Sequence, residues 1–160
     1  MAEEVKTPKT KKAPKQTLSY YEGVGRRKSA VARVRVYLPK KGTVVMGDVT
    51  HKAGAFILNG KPLEKVFISN ADQIMCRKPL VVTDSVEQYV VMVKSLGGGV
   101  SSQVGAIIHG LARALVQVPS TDLRLKLRGE GFLTRDARIR ERRKVGTGGK
   151  ARRKKQSPKR

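Results

Sequence analysis

The chain has 160 residues, in which 35 Lys and Arg oppose 12 Asp and Glu, and its formal net charge at pH 7 is +23. A charge of this size predicts binding to nucleic acid or to an anionic membrane surface, and it does not bear on the fold. A spanning helix is not expected because no apolar run approaches the roughly 20 residues that a span requires, and the N-terminal segment lacks the apolar stretch of a signal peptide.

Composition divides the chain into three parts. Residues 1–17 are rich in Lys, Thr and Pro, which predicts a disordered leader. Residues 18–134 hold most of the apolar side chains and have the length of one ordinary domain with its own core. Residues 135–160 form a basic tail. The only cysteine, Cys76, has apolar neighbours and suits a small buried side chain in a reducing compartment, so we expect a cytoplasmic protein.

The first clearly predicted strand carries two arginines. Apolar side chains alternate with Arg33, Arg35 and Tyr37 from Ala30 to Leu38, the period of a half-buried strand, and both arginines therefore lie on the same side. Two arginines alone fit a solvated charged face as well as an RNA contact. The loop expected before them, residues 23–29, favours the contact because its glycines let the backbone approach phosphates closely. Its three consecutive cations are Arg26, Arg27 and Lys28.

Shorter elements are predicted between residues 39 and 94. A turn at 39–42 is followed by a β-rich run, 43–46, that is expected to return as a hairpin. The elements predicted after it are an apolar run at 55–58 closed by an Asn59-Gly60 turn, a helix starting at Pro62, a second helical piece at 71–77 that ends before Pro79, and a central strand over 86–94.

The longest predicted helix follows three glycines, 97–99, and Ser101 or Ser102 is expected to cap its start. One apolar stripe runs along it, formed by Val104, Ile107, Ile108, Leu111, Leu115 and Val118. Gly105 and Gly110 each cost about 1 kcal/mol relative to Ala within a helix, which predicts close approach of a strand or of an RNA backbone. The sequence leaves both of these partners open.

The sequence shows no recognisable motif of catalytic or metal-binding residues. The glycine turn before the long helix has the general geometry of a phosphate cradle but lacks the spacing of either nucleotide-binding motif. His109 shares a helix face with Arg113, and no second His, Cys or carboxylate pair has metal-ligand spacing. An enzyme that bound a nucleotide here would need a carboxylate such as Asp84 or Glu87 nearby. We therefore expect no enzyme activity, no cofactor and no metal.

A last short helix, expected over 121–128, ends at Gly129 and Gly131 and releases the chain into the basic tail. The tail has 13 Lys or Arg against Asp136 and Glu141, and only four small apolar side chains. Fixing one residue's backbone costs about 1 to 2 kcal/mol, so the tail cannot fold by itself and becomes ordered only on a polyanion such as nucleic acid. A chromatin-like protein that binds DNA or RNA generically would share these features and is the alternative.

Four blocks of sequence resemble the small-subunit ribosomal protein nine family of the bacterial or organellar type. They are GVGRRKSAVARVRV at 23–36, the LGGG and AIIHGLARAL run at 96–115, LTRDARIRERRKVG at 133–146, and the closing KAR to KR. The resemblance implies an α+β two-layer sandwich, in which helices pack on one face of a mainly antiparallel four-stranded sheet. It also implies a left-handed βαβ crossover, which is rare because such connections are almost always right-handed.

The resemblance further implies a structural role in the head of the small ribosomal subunit. The domain and tail would bind ribosomal RNA, the end of the tail would reach the anticodon stem-loop of the peptidyl-site tRNA, and neighbouring head proteins would be contacted rather than further copies of this chain. The expected RNA-binding residues are Arg26, Arg27, Lys28, Arg33, Arg35, Arg113, Arg135, Arg138, Arg142, Arg143, Lys144, Lys150, Arg152, Arg153, Lys154 and Lys155, and the expected tRNA-binding residues are Lys159 and Arg160.

Three departures from the family pattern stand out, and one of them is Ser102, which stands where the glycine-rich turn of the family usually has another Gly. The family usually has an aromatic residue before the closing Ser-Lys-Arg, whereas this chain reads Gln156-Ser157-Pro158, so any stacking by that ring is absent. The leader at 1–17 and the stretch at 45–54 are longer than in bacterial members, and the sequence suggests no function for either.

Overall fold

A mixed five-stranded sheet organises the fold. The computed structural model describes residues 19–39, 42–46, 49–120, 122–146 and 151. The strands are β1 (Tyr20–Arg27), β2 (Ala30–Tyr37), β3 (Thr43–Met46), β4 (Val49–Lys52), β5 (Phe56–Leu58), β6 (Lys61–Pro62) and β7 (Val90–Leu96), and the helices are α1 (Leu63–Val66), α2 (Asn70–Val82), α3 (Val100–Leu115) and α4 (Asp122–Gly129). The predicted leader at 1–17 and most of the tail beyond Gly146 lie outside the described residues.

The sheet has the strand order β1-β2-β7-β5-β6. Neighbouring strands are antiparallel except for β5 and β7, which pair in parallel through α1 and α2. The α+β class is confirmed, but the expectation of a four-stranded, mainly antiparallel sheet was too simple, because the short β5 and β6 extend the sheet beyond β7. The left hand of the β5-to-β7 crossover stays a prediction.

The expected loop at 23–29 is mostly strand. Residues 20–27 pair with 30–37 in continuous antiparallel register, and only Lys28 and Ser29 form the turn. Lys28 has a φ of 50°, the left-handed conformation that two-residue hairpin turns require. The prediction failed because glycine usually marks a loop, whereas Gly23 and Gly25 serve here to admit a helix.

Three other boundaries differ from the sequence prediction. β3 does not return on the strand before it but pairs with β4, a strand at 49–52 that the sequence had not predicted. α2 continues through Pro79 to Val82, and Thr83 Oγ1 donates to the Pro79 carbonyl oxygen at 2.9 Å near the helix end. β7 starts at Val90, since residues 86–88 form a turn.

The main core lies between the sheet and the helices. The inward side chains of β2 are fully buried, which confirms the period-two pattern from Ala30 to Val36. α3 contributes the predicted stripe, with Ile107, Leu111 and Leu115 fully buried. Cys76 is also buried, and burial raises the pKa of its thiol to about 12, so this cysteine is a small core side chain of low reactivity.

The opposite side of the sheet, here called the second face, is partly covered by the β3–β4 hairpin. Val44 of β3 is buried with Tyr37, Ile57 and Val90 in a separate small cluster. The hairpin includes most of the stretch at 45–54, for which the sequence suggested no function. Its structural role is therefore to close one end of the second face.

α3 packs unusually close to β1 because glycines meet at the contact. A Cβ added to Gly23 would lie 2.6 Å from the Ala114 nitrogen, and one added to Gly25 would lie 2.9 Å from the Gly110 Cα. A Cβ on Gly110 would in turn lie 2.9 Å from Val34 Cγ2 and 3.0 Å from the Gly25 nitrogen. The structure thus assigns Gly110 to the close approach of a strand rather than of an RNA backbone.

Replacing Gly25 by Ala tests this contact. The added methyl group meets the backbone of α3, which cannot rotate away, so we expect Gly25→Ala to lower the free energy of unfolding by about 3 kcal/mol, at the upper end for overpacking. Urea unfolding followed by circular dichroism measures the change. Gly129→Ala is the control, because no atom lies within 4 Å of its added Cβ and the residue is in a helix. A Gly25→Ala protein as stable as the control would contradict the close contact.

Candidate nucleic-acid interface

The first residues of the tail, 132–138, are held against the domain and are here called the tail root. Phe132 and Leu133 pack on the main core, and the backbone of Leu133 lies close enough to the imidazole of His109 to influence its pKa. Three residues further on, Asp136 reaches Arg27, whose guanidinium also bonds to the first turn of α3. Since the root meets α3 first at His109 and then near Ser101, it runs antiparallel to the helix toward its N-terminal end.

His109 is neutral in this position. Burial and the nearby Arg113 both lower the pKa of its imidazole, and the backbone of Leu133 only partly offsets them. A neutral ring adds no further positive charge beside Arg113 and Arg135. The residue therefore serves as a structural contact for the root, and the sequence had indicated only that it shares a face with Arg113.

Arg27 faces the helix and joins the domain to the root. Its Nη1 donates to the Ser101 carbonyl oxygen at 3.4 Å, and its Nη2 lies 3.4 Å from Asp136 Oδ2. The side chain crosses α3 at Gly105, where an added Cβ would lie 2.8 Å from Arg27 Nη1. Gly105 therefore makes room for an arginine of β1.

Asp136 connects this arginine to the tail. Its carboxylate accepts hydrogen bonds from the Arg138 backbone nitrogen at 3.1 Å and from Arg138 Nε and Nη2 at 2.9 and 2.8 Å. These bonds, together with the charge of Arg27, hold the pKa of Asp136 well below its usual range. The carboxylate therefore stays ionised at any physiological pH.

The β1–β2 turn lies against the glycine turn that precedes α3. A Cβ on Gly97 would lie 2.7 Å from the Ser29 carbonyl oxygen, and both Gly97 and Gly98 have positive φ, 72° and 66°. Gly99, rather than either predicted serine, is the N-cap of α3, and its carbonyl accepts from the amides of residues 102 and 103. Lys28 is thus exposed close to the positive end of the α3 dipole, a setting that favours anions.

Arg33 and Arg35 lie on the second face, as their spacing predicted, but both are paired within the protein. Their Nε atoms donate to the two carboxylate oxygens of Glu22, at 2.7 and 2.9 Å, and Arg35 also lies 4.7 Å from the ring centroid of Tyr20. Burial raises the pKa of Glu22, but the two arginines lower it by more, so the carboxylate remains charged. Part of the cationic character of this face is therefore neutralised.

The remaining predicted residues comprise two arginines of the domain, five described residues of the tail and seven tail residues outside the described part. Arg113 donates from Nη1 to the Val24 carbonyl oxygen at 2.6 Å and so ties α3 to β1, while Arg26 is exposed on the second face. The exposed tail residues within the described part are Arg135, Arg138, Arg142, Arg143 and Lys144. The residues that lie outside the described part are Lys150, Arg152, Arg153, Lys154, Lys155, Lys159 and Arg160.

Sequence reasoning missed the two carboxylates that organise these cations. Glu22 and Asp136 had been counted only as reductions in net charge. For Asp136 a signal was present, since it is one of two acidic residues in a tail with 13 cations. Nothing in the local pattern identified Arg27 as its partner, because the two residues are far apart in the chain.

Two other features, a membrane-spanning helix and a metal site, are absent from the part of the chain that the structure describes. None of its helices has the length and apolar character needed to cross a membrane. Within the same ranges, no three His, Cys, Asp or Glu side chains come close enough together to hold a metal ion.

The arrangement therefore combines a basic turn, a helix N-terminus and the start of a basic tail on one domain. Comparison with known families agrees with the four sequence blocks. The model of the family described as ribosomal protein S9/S16 matches residues 25–160, from the middle of β1 through the tail. The chain belongs to the ribosomal protein S9/S16 family, whose members are structural proteins of the small ribosomal subunit that bind ribosomal RNA.

Proposed function

We propose that this protein binds the ribosomal RNA of the subunit head through two connected surfaces, the β1–β2 turn and the tail, and that the tail continues to the peptidyl-site tRNA. The observation that carries the proposal is the course of the tail root, which runs along α3 to the end of the helix beside the turn. One RNA segment at this end would meet cations from both surfaces.

The cations of the domain differ in their availability to RNA, because they differ in exposure and in their bonds to other groups of the protein. Arg26 and Lys28 are exposed at and beside the turn, and Ser29 of the turn lies against Gly97 in the glycine turn before α3, so phosphates can approach both cations. Arg33 and Arg35 already bond to Glu22 and would have to exchange that carboxylate for a phosphate. Arg27 and Arg113 hold the domain together, and their contribution to RNA binding is through the shape of the surface.

The tail provides the remaining contacts, because an extended segment can reach RNA far from the domain. An extended segment of 26 residues spans up to roughly 85 Å, enough to deliver charge far from its domain. We assign Arg135 to Lys155 to ribosomal RNA and Lys159 and Arg160 to the anticodon stem-loop of the peptidyl-site tRNA. The partners are then small-subunit RNA, this tRNA and neighbouring head proteins, on ribosomes of the cytoplasm, with no free homo-oligomer.

The division into a leader at 1–17, a domain at 18–134 and a tail from 135 remains our proposal for the organisation. Membership of the S9/S16 family favours ribosomal RNA over the chromatin-like alternative, which would bind duplex DNA as tightly as folded RNA. Family members have a structural role, which disfavours the hypothesis of an enzyme that uses a nucleotide.

The first prediction compares two pairs of domain cations. We expect Arg26→Gln with Lys28→Gln to lower the slope of log K against log salt by roughly 1.5 to 2, the value for two lost phosphate contacts. Arg33→Gln with Arg35→Gln removes the same charge but should change the slope by less than about half as much, because these side chains are occupied by Glu22. Filter binding of small-subunit RNA between about 50 and 200 mM salt measures both slopes.

The variant with Arg33→Gln and Arg35→Gln is the matched control, because it removes the same net charge as the variant at Arg26 and Lys28. Equal slopes for the two double variants would mean that total charge alone governs binding. A larger loss from the Arg33 and Arg35 variant would make these two arginines, not Arg26 and Lys28, the main RNA contacts of the domain.

The next prediction concerns the end of the tail. We expect Lys159→Gln with Arg160→Gln to leave incorporation into subunits intact and to weaken tRNA binding at the peptidyl site roughly tenfold, the scale of one charged hydrogen bond. Binding of labelled tRNA to purified small subunits measures the effect.

Lys154→Gln with Lys155→Gln removes the same charge from an earlier part of the tail and should spare the tRNA affinity. The tRNA role would be rejected by an unchanged affinity in the Lys159 and Arg160 variant. It would equally be rejected by the same loss in both variants.

A further inference from the structure

We propose that Asp136 is a positioning residue that fixes the direction in which the basic tail leaves the domain. Its carboxylate lies between an arginine of the domain, Arg27, and an arginine of the tail, Arg138. The inference rests on the proposed function in one respect, namely that the tail is the part that must reach distant RNA.

Two separate anchors define the course of the tail root. The first is at Phe132 and Leu133, which pack on the core, with the Leu133 backbone beside His109. The second is at Asp136, where the carboxylate contacts the Arg27 side chain lying across Gly105. With one anchor, the residues that follow could leave the domain in many directions. Two anchors along the same helix define a single direction for the tail root. This direction leads past the N-terminal end of α3.

The second anchor also shapes the backbone beyond it. Asp136 Oδ1 accepts a hydrogen bond from the Arg138 backbone nitrogen, the local bond of an Asx-turn, while the guanidinium of Arg138 closes on the same carboxylate. Residues 136–138 therefore form one rigid turn. Through Arg27, this turn is attached to β1 and to the first turn of α3.

Only a carboxylate suits this position. The surroundings of the root are cationic, with Arg27, Arg138 and Arg135 nearby, and any cation or neutral side chain at 136 would leave these groups to repel one another. The pair is also partly exposed, with 29% of each of the Arg27 and Asp136 side chains accessible. Exposed pairs contribute little to global stability, so the contact acts on the course of the tail more than on the stability of the fold.

Pulsed electron paramagnetic resonance on the full-length protein tests the proposal. Spin labels attach to cysteines introduced at Lys61, an exposed residue of β6, and at Ile139, which is 69% exposed and directly follows the anchored turn. Cys76 is buried and its thiol is unreactive, so it stays unlabelled. The wild-type background should give one narrow distance distribution.

We expect Asp136→Asn to reduce the population at the main distance about fivefold, the factor that corresponds to one exposed ion pair. Asp136→Glu keeps the charge and should restore most of that population. Asp84→Asn is the matched control, because it removes one carboxylate from a site 83% exposed and away from the tail. Thermal melting should be unchanged in all three variants.

Several results would overturn the proposal. They are a broad distribution in the wild-type background, a narrow one in Asp136→Asn, or the same broadening in Asp84→Asn. If Asp136→Asn fails to fold, Arg138→Gln removes the same contact from the tail side, and a narrow distribution in that variant would also refute the inference.

The outcome is separable from that of the proposed tRNA contact. The distances are measured on the free protein, without RNA. A tail that loses its direction in Asp136→Asn, combined with unchanged tRNA affinity in the Lys159 and Arg160 variant, would uphold the positioning role and reject the tRNA role. Directed hydroxyl-radical cleavage from a probe at Ser157→Cys in assembled subunits then follows the tail on the RNA, and Asp136→Asn should weaken its strongest cleavages at unchanged incorporation.

Discussion

The close approach of α3 to β1 is the contact on which the rest of the structure depends. Gly23 and Gly25 on the strand and Gly110 on the helix leave no room for a Cβ between the two backbones. Because the elements lie this close, the side chain of Arg27 at the end of β1 reaches across Gly105 to the first turn of α3. The same closeness lets Arg113 bond to Val24. The position of the tail root follows, since Arg27 is its partner.

Two carboxylates each hold two arginines of the candidate interface within the protein. Glu22 occupies Arg33 and Arg35 on the second face, and Asp136 occupies Arg27 and Arg138 at the root. In a chain with a net charge of +23, an unpaired cation close to other cations is repelled, so a few acidic residues decide where arginines come to rest. Net charge predicted the class of partner, but the pairing determines which surface is available to it.

The parts of the fold that were predicted correctly from the sequence are those with a local pattern of residues. The alternation from Ala30 to Val36, the stripe of α3 and the Asn59-Gly60 turn each depend on neighbouring residues, and each was confirmed. Some failures depend on distant partners. Glycines in β1 resembled a loop because the helix that needs them comes some 80 residues later, and the Arg27–Asp136 pair spans more than 100 residues. Pairing of β3 with β4 was missed for a local reason, since a short polar strand has no strong pattern of its own.

An anchored root changes what it costs the tail to bind RNA. A basic segment that becomes ordered on RNA loses about 1 to 2 kcal/mol of backbone entropy per residue, and this loss opposes the attraction to phosphates. Residues 133–138 are already fixed by His109, Arg27 and Asp136, so their ordering is completed when the domain folds. Six residues ordered in advance lower the cost of binding by on the order of 10 kcal/mol at most. The fold of the domain thus contributes to RNA binding even through residues that touch no phosphate.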